Sequence, residues 1–171
     1  KMGTCYNYLY SKGDISVPSS LLQLHQNTLQ LLDLSDNHIG SFCKTIEDKF
    51  VMKNLIELLL HSNNITELNP LVFCGETFPS LRILALVSNQ ISELPEELCT
   101  ISNLECLHLT RNKLKKLPDG IGNLSGLVYL DCIDNFLTEL PESFSKLTKL
   151  TFLDLSNNKL TEISPDVLSN L

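Results

Sequence analysis

Tryptophan is absent from this chain of 171 residues, and no uninterrupted apolar run approaches the ~20 residues that a membrane-spanning helix needs. Basic residues are scarce: 13 Lys and Arg stand against 20 Asp and Glu, for a net charge of −7. Affinity for nucleic acid rests on cations that neutralise phosphates, so this balance argues against DNA or RNA as partner. It argues equally against an anionic membrane surface, and no membrane insertion is expected. A glycine-rich phosphate loop is also missing, which removes the usual nucleotide cradle. No cofactor is expected.

Cysteine is present but not organised. Cys5, Cys43, Cys74, Cys99, Cys106 and Cys132 form no C-x-x-C pair, and no two are closer than seven positions. Zinc sites usually bring close pairs, so no metal is expected. Six free thiols in a reducing, cytoplasmic compartment are therefore expected. The sequons Asn64-Ile65-Thr66 and Asn123-Leu124-Ser125 do not alter this, because 15 Asn among frequent Ser and Thr give roughly two by chance.

What the chain has is a period. The pattern L-x-x-L-x-L-x-x-N-x-L runs through Leu29, Leu32, Leu34, Asn37 and Ile39, then Leu55, Leu58, Leu60, Asn63 and Ile65. It recurs at Leu81, Leu84, Leu86, Asn89 and Ile91, and at Leu104, Leu107, Leu109, Asn112 and Leu114. Leu127, Leu130, Cys132, Asn135 and Leu137 follow, then Leu150, Leu153, Leu155, Asn158 and Leu160. The starts lie 26, 26, 23, 23 and 23 residues apart. A degenerate copy, with Cys5, Tyr8, Tyr10, Gly13 and Ile15 in the same slots, precedes them. The chain thus divides into a degenerate stretch, 1–28, and six recognisable repeats, 29–171, within one domain spanning 1–171. Asn170-Leu171 matches the opening of a repeat, so a fragment of a larger protein with further domains is expected.

Physical chemistry explains the pattern. In L-x-x-L-x-L alternate side chains point inward and stack on those of the next turn. Asn sits where the chain leaves the strand, and its amide can satisfy backbone groups of the bend and of the neighbouring coil. Parallel strands about 4.8 Å apart then form one sheet, and bulkier return segments on the outside make the sheet face concave. Leu94-Pro95, Leu117-Pro118 and Leu140-Pro141 predict short 3₁₀ or extended returns. Phe42, Ile46 and Phe50, four apart, predict a short amphipathic helix over Ser41 to Asn54.

These repeats resemble the leucine-rich-repeat family over essentially the whole chain. Leu104 to Ile163 is most similar to the 23-residue L-P-x-x-I-x-x-L class of Ras-suppressor-type scaffolds, Scribble-type polarity proteins and the repeat domains of Roco GTPase–kinases. The resemblance implies an α/β solenoid: a horseshoe with a parallel concave sheet and short helical, 3₁₀ or extended convex segments. It also implies protein ligands and no cofactor.

The register assigns the concave face. Its exposed columns are expected to hold Leu59, His61, Ile83, Ala85, Val87, Cys106, His108, Arg111, Tyr129, Asp131, Ile133, Asp134, Phe152 and Asp154. A contiguous apolar surface of this kind marks an interaction site, and Tyr, Phe and Arg are the types that anchor interfaces. Asp131, Asp134 and Asp154 form an acidic rim suited to a basic partner. The expected function is a protein-interaction scaffold in intracellular signalling. The alternatives are an extracellular receptor ectodomain and a Cys-dependent enzyme. The enzyme reading rests on Cys106 and His108 two apart on one strand with Asp131 beside them, the right types for an activated thiolate but on an open face. His38, His61 and His108 lack metal-ligand spacing. Lys113, Lys115 and Lys116 beside Arg111 read as a solvated cluster.

Overall fold

The computed structural model describes residues 15–17, 19–43 and 50–168. The degenerate copy at Cys5, Tyr8, Tyr10 and Gly13, and the restart at Asn170-Leu171, lie outside them.

Each repeat contributes one three-residue strand whose middle residue points inward. In chain order these are β2 (Leu31–Asp33), β4 (Glu57–Leu59), β5 (Ile83–Ala85), β6 (Cys106–His108), β7 (Tyr129–Asp131) and β8 (Phe152–Asp154). All pair in parallel, each with the strand of the next repeat, in one open sheet. The register is the one the period predicts: Leu32, Leu58, Leu84, Leu107, Leu130 and Leu153 align across it. The four in the middle are completely buried, each worth about 1.5–3 kcal/mol of removal from water.

Three residues past each strand the chain must turn, and it does so through the left-handed region. Asp36, Ser62, Ser88, Arg111, Asp134 and Asn157 have φ between 53° and 57°. Three of the six are Asp or Asn, the types that tolerate this conformation best after glycine. The next residue is the repeat Asn. Asn112 shows the design: its Nδ2 donates to the carbonyls of Leu109 (3.1 Å) and of Leu86 one coil back (2.9 Å), while its Oδ1 accepts from the Ile91 N–H at 3.0 Å. Asn63, Asn89, Asn135 and Asn158 repeat this coil-to-coil bridge. Asn37 makes the within-turn bonds of the set, to the carbonyls of Leu34 and Ser35.

The returns differ along the chain. Glu96–Thr100 and Glu142–Lys146 form 3₁₀ turns directly behind Pro95 and Pro141, and Ile121–Asn123 forms a third behind Gly120. Proline with φ near −70° starts such a turn without losing a needed N–H. A helix, α1 (Ser19–His25), occupies the first return and a short one, α2 (Pro165–Leu168), the last.

The helix expected over Ser41 to Asn54 does not begin as predicted. Phe42 ends strand β3 (Ile39–Phe42), which pairs in parallel with β1 (Ile15–Val17) in a second, two-stranded sheet. Its ring is buried and packs on Phe73 at 5.5 Å, which in turn meets Phe78 at 6.0 Å. Three phenylalanines from the longer repeats thus cluster in the core, and this packing outweighs the four-residue spacing. Ile46 lies outside the described residues.

Candidate functional site

The first and third residues of each strand face away from the core, so pairing brings them into two columns across the sheet. One column runs Leu31, Glu57, Ile83, Cys106, Tyr129, Phe152, and the other Asp33, Leu59, Ala85, His108, Asp131, Asp154. Leu59, His61, Ile83, Val87, Cys106, His108, Tyr129, Ile133, Asp134 and Asp154 are half-buried, and Phe152 is exposed at 42%. Ala85 and Asp131 depart from the exposed placement expected of them, being only 5% and 6% exposed. Ala85 is too short to rise above its neighbours.

Asp131 is covered because its carboxylate turns back onto the preceding coil. Oδ1 accepts from the backbone N–H groups of Leu109 (3.2 Å) and Thr110 (3.1 Å) and from the Thr110 hydroxyl (2.6 Å). Oδ2 lies 2.7 Å from His108 Nδ1. Burial alone would raise this carboxyl, but the bonds from His108 and Thr110 outweigh it and hold its pKa below the ordinary value. An ionised carboxylate only accepts, so His108 Nδ1 carries the proton. Asp131 thus braces the face and is not a free charge on its rim.

The same bracing fixes the aromatic row. Tyr129 lies between His108, at 4.8 Å, and Phe152, at 4.2 Å with the rings parallel. Its phenol is pushed above the usual value by burial and then by the charges of Asp131 and Asp154. Arg111 departs from its expected role as a strand residue. It occupies a left-handed turn, with a 71% exposed side chain whose Nε is 3.5 Å from Asp134.

The Cys106, His108 and Asp131 constellation comes together only in part. The His108–Asp131 pair is real. The Cys106 thiol, however, is pushed above its usual value by burial and by Glu105, against the pull of Arg82. An activated thiolate requires the opposite shift. Half-buried Asp154 accepts from the Ser156 hydroxyl and N–H, and these bonds keep its carboxyl low. The five described cysteines are all unpaired thiols. Burial pushes Cys43 and Cys99 up to about 12, and Cys132 higher still. Among the described residues, no group of three or more His, Cys, Asp and Glu is placed to hold a metal ion. No described helix is long and apolar enough to cross a membrane.

The profile of the family described as "Leucine-rich repeat region" matches residues 61–171, and a second, "Leucine Rich repeat", matches residues 25–41. A solved leucine-rich-repeat protein of Leptospira interrogans is similar at 32% identity over 91% of this chain, with a TM-score of 0.70. This chain spans 44% of the length of that protein. No curated protein sequence matches. Domains of this kind generally mediate protein–protein interaction and are typically non-catalytic. The matches reach the family and not the 23-residue subclass: the chain belongs to the leucine-rich-repeat family.

Proposed function

We propose that this solenoid is a protein-interaction scaffold of an intracellular signalling protein, and that its partner docks on the concave face. One observation carries the reading: Leu59, Ile83, Val87, Cys106, Tyr129, Ile133 and Phe152 leave apolar surface open on adjacent strands of one sheet. Apolar surface gathered this way, on a rigid frame, favours docking of another chain. The raised thiol of Cys106 on an open face favours a binding module over an enzyme. The unpaired thiols favour a reducing, cytoplasmic compartment over the extracellular space.

The test compares proteins retained from the native source by wild type and by variants. Tyr129→Ala and Phe152→Ala should each weaken retention of the same partner by about 1 kcal/mol or more, roughly fivefold. Lys146→Ala, on a return segment, should leave it unchanged. A partner lost with Lys146→Ala and kept by both aromatic variants would place docking on the convex side. Tyr129→Ala should also cost about 0.5–1.5 kcal/mol of stability through its two ring contacts. Phe152→Ala, touching one ring, is the cleaner reporter.

A further inference from the structure

The concave face is apolar in its middle and acidic at both ends. Leu59 on β4, Ile83 on β5, Val87 just past β5 and Cys106 on β6 lie between the ends. Asp33 and Glu57 stand on β2 and β4 at one end, and Asp154 stands on β8 at the other. Among the described residues of the strands and their turns, Arg111 is the one Lys or Arg beside this surface, and it is turned to Asp134. Asp33 and Asp154 are both held in the charged form, each bonded by Ser two residues on. No described Lys or Arg pairs with Asp33, Glu57 or Asp154.

We propose that the occupant is an extended protein segment of basic–apolar–basic pattern, laid across the strands. This rests on the docking reading above and specifies its ligand. Aliphatic side chains of the segment would cover Leu59, Ile83 and Val87, while a cationic side chain at each end would meet Asp33 with Glu57, and Asp154. Length follows from the sheet. Asp33 and Asp154 stand on the first and last of its six strands, and five spacings of about 4.8 Å give about 24 Å. An extended chain rising about 3.4 Å per residue covers that in about seven residues. A second copy of this chain is disfavoured, because two faces of this sign, each on a chain of net charge −7, repel.

The probe is a capped, labelled nonapeptide with arginine at both ends, valine at the third, fifth and seventh positions and serine between. Its counterparts carry neutral citrulline, or glutamate, at both ends. A third version places the two arginines side by side. Binding to the full 171-residue chain is read by fluorescence anisotropy at low and high salt. An exposed ion pair contributes a factor of about two to five. The arginine peptide should therefore bind about tenfold more tightly than the citrulline peptide, and lose that margin in high salt. The adjacent-arginine version should fall between them, and the glutamate version should bind least. Asp33→Asn and Asp154→Asn should each remove several-fold of the arginine preference and leave citrulline binding unchanged. Equal binding of the arginine and citrulline peptides, tighter binding of the glutamate peptide, or no binding of the arginine peptide overturns the proposal. If charge makes no difference while Phe152→Ala still lowers retention of the native partner, this inference fails and the docking reading stands. If Phe152→Ala and Tyr129→Ala also leave retention intact, both fail.

Discussion

Two buried polar side chains do different work on the two sides of the sheet. Asn112, 5% exposed, satisfies three backbone groups of two coils at once. Asn112→Ala leaves them without partners and should cost about 1–3 kcal/mol, seen as a lower urea midpoint. Asp131 does the same from the concave side, with charge added. Its folded pKa lies below the value of about 3.9 expected in the unfolded chain. The stability it contributes is therefore complete above that value and is lost as pH falls through the folded pKa. Asp131→Asn should lower the urea midpoint at pH 7 and flatten the loss of stability on acidification below about pH 4. An unchanged midpoint and an unchanged acid limb would show that these hydrogen bonds contribute nothing net. The repeat pattern makes the Asn role readable in advance, since the same residue recurs at the same slot. Asp131 has no such periodic signal. Its burial depends on His108 and Thr110 flanking it from the neighbouring repeat, a pairing visible only once the register is drawn.

Strands and returns were legible to different degrees for a physical reason. Leu at fixed slots is demanded by the buried ladder, so β2 and β4 to β8 follow from spacing alone. The returns fill whatever space the ladder leaves. Phe42 joined β3 and the Phe73–Phe78 cluster because a large ring gained more from that core than from a helix. The turn slot held by Asp36, Ser62, Ser88, Arg111, Asp134 and Asn157 also reads in sequence as one more strand position, although its Asp and Asn share pointed to positive φ. Coil spacing sets a further demand at glycine. A Cβ on Gly122 would sit 2.0 Å from the Ser143 carbonyl oxygen, a backbone atom that cannot rotate away. Gly122→Ala should push adjacent coils apart at a cost of about 1–3 kcal/mol. Gly120→Ala meets first the Glu96 carboxylate, the end of a flexible side chain, and should cost less. Thermal melts of the two variants compare them directly, and equal melting temperatures would mean that the coils are not in the tight contact described.

Among the described residues, each strand pairs only with strands of neighbouring repeats, so damage should spread by one coil and then fade. The core supports this view. Leu107 and Leu130 are completely buried, whereas Leu153 and Leu155 of the last described repeat are only partly so. In this 171-residue chain Leu107→Ala should cost about 2–5 kcal/mol, and Leu153→Ala less, because a half-covered site leaves a smaller cavity. Three buried thiols report where the loss is felt. Cys132 lies in the coil beside Leu153, and its carbonyl accepts from Asn158 of that repeat at 2.8 Å. Cys99 and Cys43 lie in earlier returns, and all three thiols are under 4% exposed. Labelling of such thiols requires opening of the coil, since burial keeps them protonated as well as covered. A local loss of about 1–2 kcal/mol multiplies opening about 5- to 30-fold. Leu153→Ala should therefore speed maleimide labelling of Cys132 by that factor and leave Cys43 unchanged, with Cys99 between them. Peptide mapping of the label separates the sites. If all three thiols speed up together, the array opens as one cooperative unit and the nearest-neighbour description fails.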